Sequence, residues 1–332
     1  MKNYKLNTFL LLFLFFTACE NDKKSIFKES NKINSFFETY FNDKVDRSPM
    51  YQARLGIKKD YDKWDDISPK SDTLELTIAK NALQWIKDSI NINLLNDQTE
   101  LSYRLFKQSL ENQIKDFKYR LHNYPVNQMY GYHSRVPAFL INIHKVDSKK
   151  DAEDYIVRLT GIKDLFNQLE KNLIERELVG IMPPQFVYHH VIDDSKNIIS
   201  GLPFNGTDSS ALFKDVVEKI ETLNIEKNEQ ERLINQAKNA LISSVLPAYQ
   251  SLINLLEKQM VNSTKDDGVW KWPNGDKFYS NALKRTTTTN MTIEEIHQLG
   301  LSEVERIHKE MVIIKDKVGF KGSLKSFFNE LK

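Results

Sequence analysis

The strongest constraint on the fold is apolar spacing near 3.6 residues that recurs along most of the chain. From Leu74 it runs through Leu76, Ile78, Leu83, Ile86 and Ile90, and it returns at Leu101, Leu105, Leu110, Ile114 and Phe117. Pro125 breaks the register. A third long segment, Asp151 to Leu178, carries Tyr155, Leu159, Ile162, Leu165, Leu169 and Leu173 on one side, and Gly180 with Pro183-Pro184 stops it. Ala211 to Leu223 is shorter, and Glu229 to Val261 is long, with Pro247 expected to kink or divide it. No sustained period-two alternation competes with this pattern. The expected fold is an all-α multi-helix array or bundle with at most a minor β-hairpin, best placed at Lys271 to Tyr279 around Pro273-Asn274-Gly275-Asp276.

Composition agrees. Hydrophobic residues make up 40% of the 332, enough to bury a substantial core, while 11 Gly and 9 Pro are too few for a turn-dense sandwich. A formal net charge of +2 gives no reason to expect a nucleic-acid partner. A single cysteine excludes a disulfide scaffold and multi-cysteine metal sites.

The position of that cysteine gives it a role. Lys2 and Lys5 form a positive start, Phe9 to Phe16 is an apolar run too short to span a bilayer, and Thr17-Ala18-Cys19 closes the segment. The pattern resembles a bacterial lipobox, with Phe16 where Leu is usual. The expected organisation is a lipoprotein signal peptide over 1–18, a polar tether over 19–34 after a lipidated Cys19, and a helical domain over 35–332. Localisation follows: a cell-envelope protein held on a membrane by its lipid, on its periplasmic or surface face.

Toward the C terminus, Thr292 with Glu295 and Ser302 with Glu305 both have capping-box spacing, with Gly300 between them. The expectation is a short helix from Ile293 to Leu299, a turn at Gly300 and a longer helix after Ser302. None of the seven histidines is followed by Glu, so no His-Glu-x-x-His motif is present. Glu294 with His297 and Glu305 with His308 resemble half of a di-metal bundle site. On one continuous helix the two pairs would lie about 16 Å apart, too far to share an ion. His297 and His308 are therefore weak metal candidates that fit an ordinary helix face equally well.

His189-His190 with Asp193 and Asp194 is a second cluster, read as surface or capping residues. Tyr130, Tyr132, Arg135, Trp270 and Tyr279 could bind substrate by stacking and charge, or serve as core anchors. No catalytic constellation emerges from the residues alone.

Several stretches together resemble one family, the bacterial domain of unknown function 885. They are Ser48-Pro49 leading to Leu55-Gly56, Arg135-Val136-Pro137 through Asp154 to Leu159, and Gly180 with Met182-Pro183-Pro184. Asn274-Gly275-Asp276, Tyr279 and Thr286-Thr287-Thr288 continue the likeness to Glu294–Gly300, and Gly319 to Leu324 closes it. The resemblance implies a mostly helical, metallopeptidase-like lipoprotein. It also implies a zinc motif like His-Glu-x-x-Pro-Gly-His in a C-terminal half that this sequence does not contain.

Three functions follow as expectations. The first is the N-terminal portion of a peptidase-like lipoprotein, inactive alone, with zinc only in full-length members and a separately encoded C-terminal half as a possible partner. The second is a self-sufficient helical lipoprotein that binds peptide or another ligand. The third is a small metalloenzyme using Glu294, His297, Glu305 and His308. The anchor is tested directly: Cys19→Ala should leave an unprocessed precursor that incorporates no labelled fatty acid, and labelling of that variant would refute the lipobox.

Overall fold

The computed structural model describes the backbone of residues 3–332 and the side chains of residues 23–332. The signal segment and Cys19 therefore lie outside the residues whose side chains are described. Among the described residues the chain is helical, with only isolated bridges between Val126 and Gly131 and between Leu202 and Ser209. It divides into two compact units, Met1–Asp267 and Gly268–Lys332, where the sequence suggested one helical domain over 35–332.

The first unit contains α1 (Asn3–Asp46), α2 (Pro49–Arg54), α3 (Pro69–Ser89), α4 (Asp97–Asp116), α5 (Tyr132–Asn142), α6 (Lys149–Leu178), α7 (Gln185–Ile198), α8 (Ala211–Glu221), α9 (Lys227–Ala240) and α10 (Leu246–Asn262). Its main core is built on α6. Tyr155, Leu159, Ile162, Leu165, Phe166 and Leu169 are buried there with residues of α7, α8, α9 and α10. The apolar spacing read from the sequence is thus the inward stripe of one helix surrounded by others. α6 starts on Ser148, whose hydroxyl accepts from the Asp151 amide, and stops at Gly180, whose φ of +75° lets the Ile181 amide reach back to the Arg176 carbonyl at 2.8 Å.

The long segment expected to kink or divide at Pro247 stays helical across it. One π turn, Leu241–Val245, joins α9 to α10 just before the proline, with helical dihedrals at Ala240, Val245 and Leu246, a local adjustment of the kind a proline within a helix requires.

A smaller core joins α1, α3 and α4. Ile33, Ala79, Ile86 and Leu110 are buried there, and the Phe36 ring stacks on Trp85 at 4.1 Å. This corrects the expected tether over 19–34. Its later part is packed helix: Ile33 is buried, the Ser30 hydroxyl accepts from the Asn96 amide, and Glu29 accepts from the Asn91 amide. The reason is spacing, since Ile33, Phe36, Phe37 and Tyr40 extend one apolar stripe back through the polar composition.

The second unit contains α11 (Gly275–Thr287), α12 (Ile293–Lys317) and α13 (Leu324–Glu330). The expected hairpin at Lys271–Tyr279 is instead a 3-10 turn, Val269–Lys271, followed by α11. Asn274 takes the left-handed conformation at φ 56°, and a Cβ on Gly275 would stand 1.8 Å from the Val269 carbonyl oxygen. The turn residues therefore start a helix rather than reverse a strand.

The expected break at Gly300 is also absent. α12 runs unbroken through it, and the Ser302 hydroxyl donates to the Leu299 carbonyl instead of capping a new helix. The Thr292–Glu295 capping box forms with both reciprocal bonds. Gly300 keeps helical backbone, and a Cβ added there would meet no neighbouring atom, so the position does not require glycine.

The α6 core gives a direct test. Leu159→Ala should lower the stability of the chain by about 2–5 kcal/mol in urea unfolding, because a fully buried leucine leaves a cavity. Leu178→Ala, at an 81% exposed position, should change it by less than about 0.5 kcal/mol.

Candidate functional site

The densest chemistry in the first unit surrounds Arg158, a fully buried arginine on α6. Its Nε donates to the Lys63 carbonyl at 3.0 Å, one terminal nitrogen donates to His144 Nδ1 at 2.9 Å, and the other reaches the Pro49 carbonyl at 3.4 Å. The rings of Tyr61, Trp64 and Phe139 stand 5.1, 5.6 and 4.8 Å from its guanidinium carbon. Burial pulls the guanidinium down to about 10, so it stays charged at neutral pH.

Because arginine can only donate, His144 Nδ1 must accept, which leaves the proton on Nε2 facing the Asp151 carbonyl at 3.0 Å. Burial, against the Asp151 carbonyl contact and with Arg158 and Lys219 nearby, pulls the imidazole down to about 3. It is therefore neutral and uses both nitrogens. At Asp151, burial pushes the carboxyl up, but bonds from Lys58, the Ser148 hydroxyl and the Asp147 amide outweigh this and hold it below its ordinary value.

A second cluster joins α5, α6 and α8. The Tyr155 hydroxyl donates to Asp215 at 2.8 Å, and Lys219 bonds the same carboxylate at 2.9 Å. Lys219 also donates to the Leu140 and Ile141 carbonyls at 2.8 and 3.0 Å, placing a cation on the C-terminal turn of α5. Burial raises the Asp215 carboxyl despite these partners. Farther along α6, Arg176 donates to the Asn172 carbonyl and to Asn123 Oδ1, each at 2.9 Å, while Asn172 donates to the Ile67 carbonyl at 2.7 Å.

In each cluster the polar atoms face backbone carbonyls or one another, and the hydroxyls beside the carboxylates, Ser148 on Asp151 and Tyr155 on Asp215, belong to a helix cap and a buried inter-helix bond. The chemistry they perform is fixation of loops and helix ends against α6. His133 differs. It is buried on α5, its Nε2 lies 3.7 Å from Asp194 of α7, and its Nδ1 has no hydrogen-bond partner among the described residues. Burial holds it below its ordinary value, and Asp194 works against that.

The residues singled out in the sequence do not converge. Tyr130 is exposed at the tip of a turn closed by Asn127 Oδ1, which accepts from the Met129 and Tyr130 amides. Gly131 closes the turn at φ 150°, where a Cβ would stand 2.6 Å from Val126 Cα. Tyr132 is half-buried against the main core, with the exposed Arg135 guanidinium 5.5 Å from its ring.

Trp270 and Tyr279 are both exposed and belong to the second unit. His189 and His190 are exposed on α7, and Asp194 faces His133 rather than His190. His297 and His308 are exposed on the single helix α12, eleven residues and about 16 Å apart. The unbroken helix removes the Gly300 turn that could have brought them together. No group of three or more His, Cys, Asp or Glu among the described residues could hold a metal, so these residues do not fit the zinc implied by the resemblance.

One concavity has a composition suited to a ligand. A groove of about 530 Å³ between α1 and α4 is lined by Phe37, Tyr40, Phe41, Leu105 and Phe106, with Lys44 at its edge. No described helix is long and apolar enough to cross a membrane.

Sequence reasoning missed Arg158, Arg176, Asp215 and Lys219. A signal existed for the two arginines: Arg158, Ile162, Leu165, Leu169, Asn172 and Arg176 share the inward face of α6, so polar residues interrupt a core stripe. The His144 arrangement yields a pH test. Between about pH 6.5 and about 3 the unfolded chain takes up a proton here that the folded chain does not, so stability falls as pH falls. The loss attributable to this group approaches about 1.4 kcal/mol per pH unit inside that window. Urea unfolding of His144→Gln should show a shallower acid slope than the unsubstituted chain; parallel slopes would contradict the assignment.

Comparison with known proteins places the whole arrangement in context. A crystal structure of a candidate lipoprotein from Colwellia psychrerythraea shares the fold with TM-score 0.77 and 21% identity, over 91% of this chain and 54% of that one. A candidate lipoprotein of unknown function from Shewanella oneidensis matches with TM-score 0.60 and 15% identity, over 88% of this chain and 48% of that one. The chain thus spans about half the length of these solved structures. No curated protein sequence matches it. The sequence profile described as bacterial protein of unknown function (DUF885) matches residues 49–332.

Proposed function

Starting from the chain's membership of the bacterial DUF885 family, we propose that it is the lipid-anchored helical scaffold of a metallopeptidase-like envelope protein and has no peptidase activity alone. The observation that carries this reading is the use made of the buried polar groups. Arg158, His144, Asp151, Arg176, Asn172 and Lys219 are spent on backbone carbonyls and on one another, an arrangement that holds α6 and its neighbours in place. A catalytic zinc needs about three protein ligands in a fixed arrangement with one open position. The best histidines here stand on one helix, three turns apart.

The anchor is part of the proposal. The charged start, short apolar run and Cys19 support it, and the solved structures sharing the fold are themselves described as candidate lipoproteins. On this reading the protein works at a membrane surface in the cell envelope, with its helical body outside the bilayer.

A second reading, a self-sufficient ligand-binding lipoprotein, is favoured by the groove between α1 and α4. Its volume of about 530 Å³ and its aromatic lining suit an apolar or peptide ligand.

One experiment separates these readings. The chain from Glu20 onward is dialysed, assayed for metal and incubated with a mixed peptide library. The scaffold reading expects no stoichiometric zinc and no cleaved peptides. Retention of uncut peptides would favour the binding reading, whereas zinc and cleavage lost together on His297→Ala would overturn both.

A further inference from the structure

α12 is built as a core helix, yet none of its residues is buried. At 100° per residue, Ile314, Ile307, Met311, Val304, Leu301 and Val312 cover an arc of about 160°. His297 and His308 fall near the middle of that arc. Leu301 and Val304 are each 52% exposed and Ile314 is 57% exposed. The rest of the circumference is mostly charged: Arg306 pairs with Glu303 and Glu310, and Lys309 pairs with Glu305, with Leu299 and Ile313 exposed among them.

The width of the apolar arc selects its cover. A paired coiled-coil partner occupies a narrow seam, whereas a stripe wider than about 100° faces a multi-helix core. Such a large exposed apolar surface on a charged helix marks an interaction site. Polypeptide of the required extent exists in the proteins that share this fold. They match nearly all of this chain yet continue for about as much again, since the shared region is 54% of one and 48% of the other.

We infer that the apolar face of α12 is the docking surface for a second helical layer, supplied by polypeptide of the same family corresponding to the part of those longer proteins that this chain does not cover. The partner's chemistry follows from the surface. It presents aliphatic and aromatic ridges from more than one helix, and it buries His297 and His308 with the apolar residues around them. This inference rests on the scaffold reading and gives that scaffold the surface on which its other half assembles.

The test places a photo-reactive phenylalanine analogue at Ile307 in the full-length protein produced in its own bacterium, with the same probe at Arg306, about 100° farther round the helix on its polar face, as the control. Circular dichroism of each purified variant checks that helicity is unchanged. The expected result is an adduct at Ile307, lost when the probe moves to Arg306. Its peptides should match the same family beyond the region matched by this chain, whether that polypeptide is joined to the chain or separate. Cross-linking to a second copy, to lipid alone or to an unrelated protein, or no adduct at all, would overturn the inference. Zinc binding and peptide cleavage by the chain alone would defeat the scaffold reading without producing any of these outcomes, so the two failures are distinguishable.

Discussion

The arrangement of the first unit depends on the desolvation of one guanidinium. Arg158 has no exposed surface, and an unpaired charge in that position would destabilise the fold by several kcal/mol. Its donors are met by carbonyls of Lys63 and Pro49 and by a neutral histidine, and aromatic rings surround its plane. The start of α2 and the segment between α2 and α3 must therefore lie along α6, because the Pro49 carbonyl belongs to the first and the Lys63 carbonyl to the second. Trp64 repeats the constraint from the other side, donating its indole N–H to the Arg158 carbonyl at 2.8 Å. Ile67 extends it through Gln168 at 2.9 Å.

This has a consequence for function. Neutral histidines, buried carboxylates and arginines in one region ordinarily suggest acid–base chemistry. Here their partners argue otherwise. His144 has no nitrogen left for a substrate, and Asp215 is held between a tyrosine hydroxyl and a lysine that is itself occupied with a helix end. At Arg158, His144 and Asp215 the perturbed protonation accompanies the fastening of helices and loops to α6 and α8. The first unit is a set of helices fastened to α6, and the second carries α12, none of whose residues is buried.

Helical periodicity made most of the fold legible in the sequence, because amphipathic stripes such as that of α6 record burial directly. Legibility failed where a local signal had two structural solutions. Pro273-Asn274-Gly275-Asp276 can turn a hairpin or start a helix, and the left-handed Asn274 chose the helix. Gly300 with Ser302 and Glu305 can restart a helix or sit inside one, and here the Ser302 hydroxyl bonds back to the Leu299 carbonyl within the continuous α12. The tether was misread from composition, since the charges around Ile33 and Phe36 hid an apolar stripe. The polar clusters were harder still: Arg158 finds its partners at Pro49, Lys63 and His144, long-range pairings that no local spacing encodes.

Native-state amide hydrogen exchange on the chain from Glu20 tests the central claim most directly, because it reads the stability of each helix separately. If the chain is a scaffold organised on α6 with α12 lacking its cover, amides between Leu159 and Leu169 should exchange only with global unfolding. Those between Val304 and Ile314 should exchange through local opening at much lower free energy. Equal protection of the two stretches in the isolated chain would contradict the account, since it would mean that α12 needs no further layer.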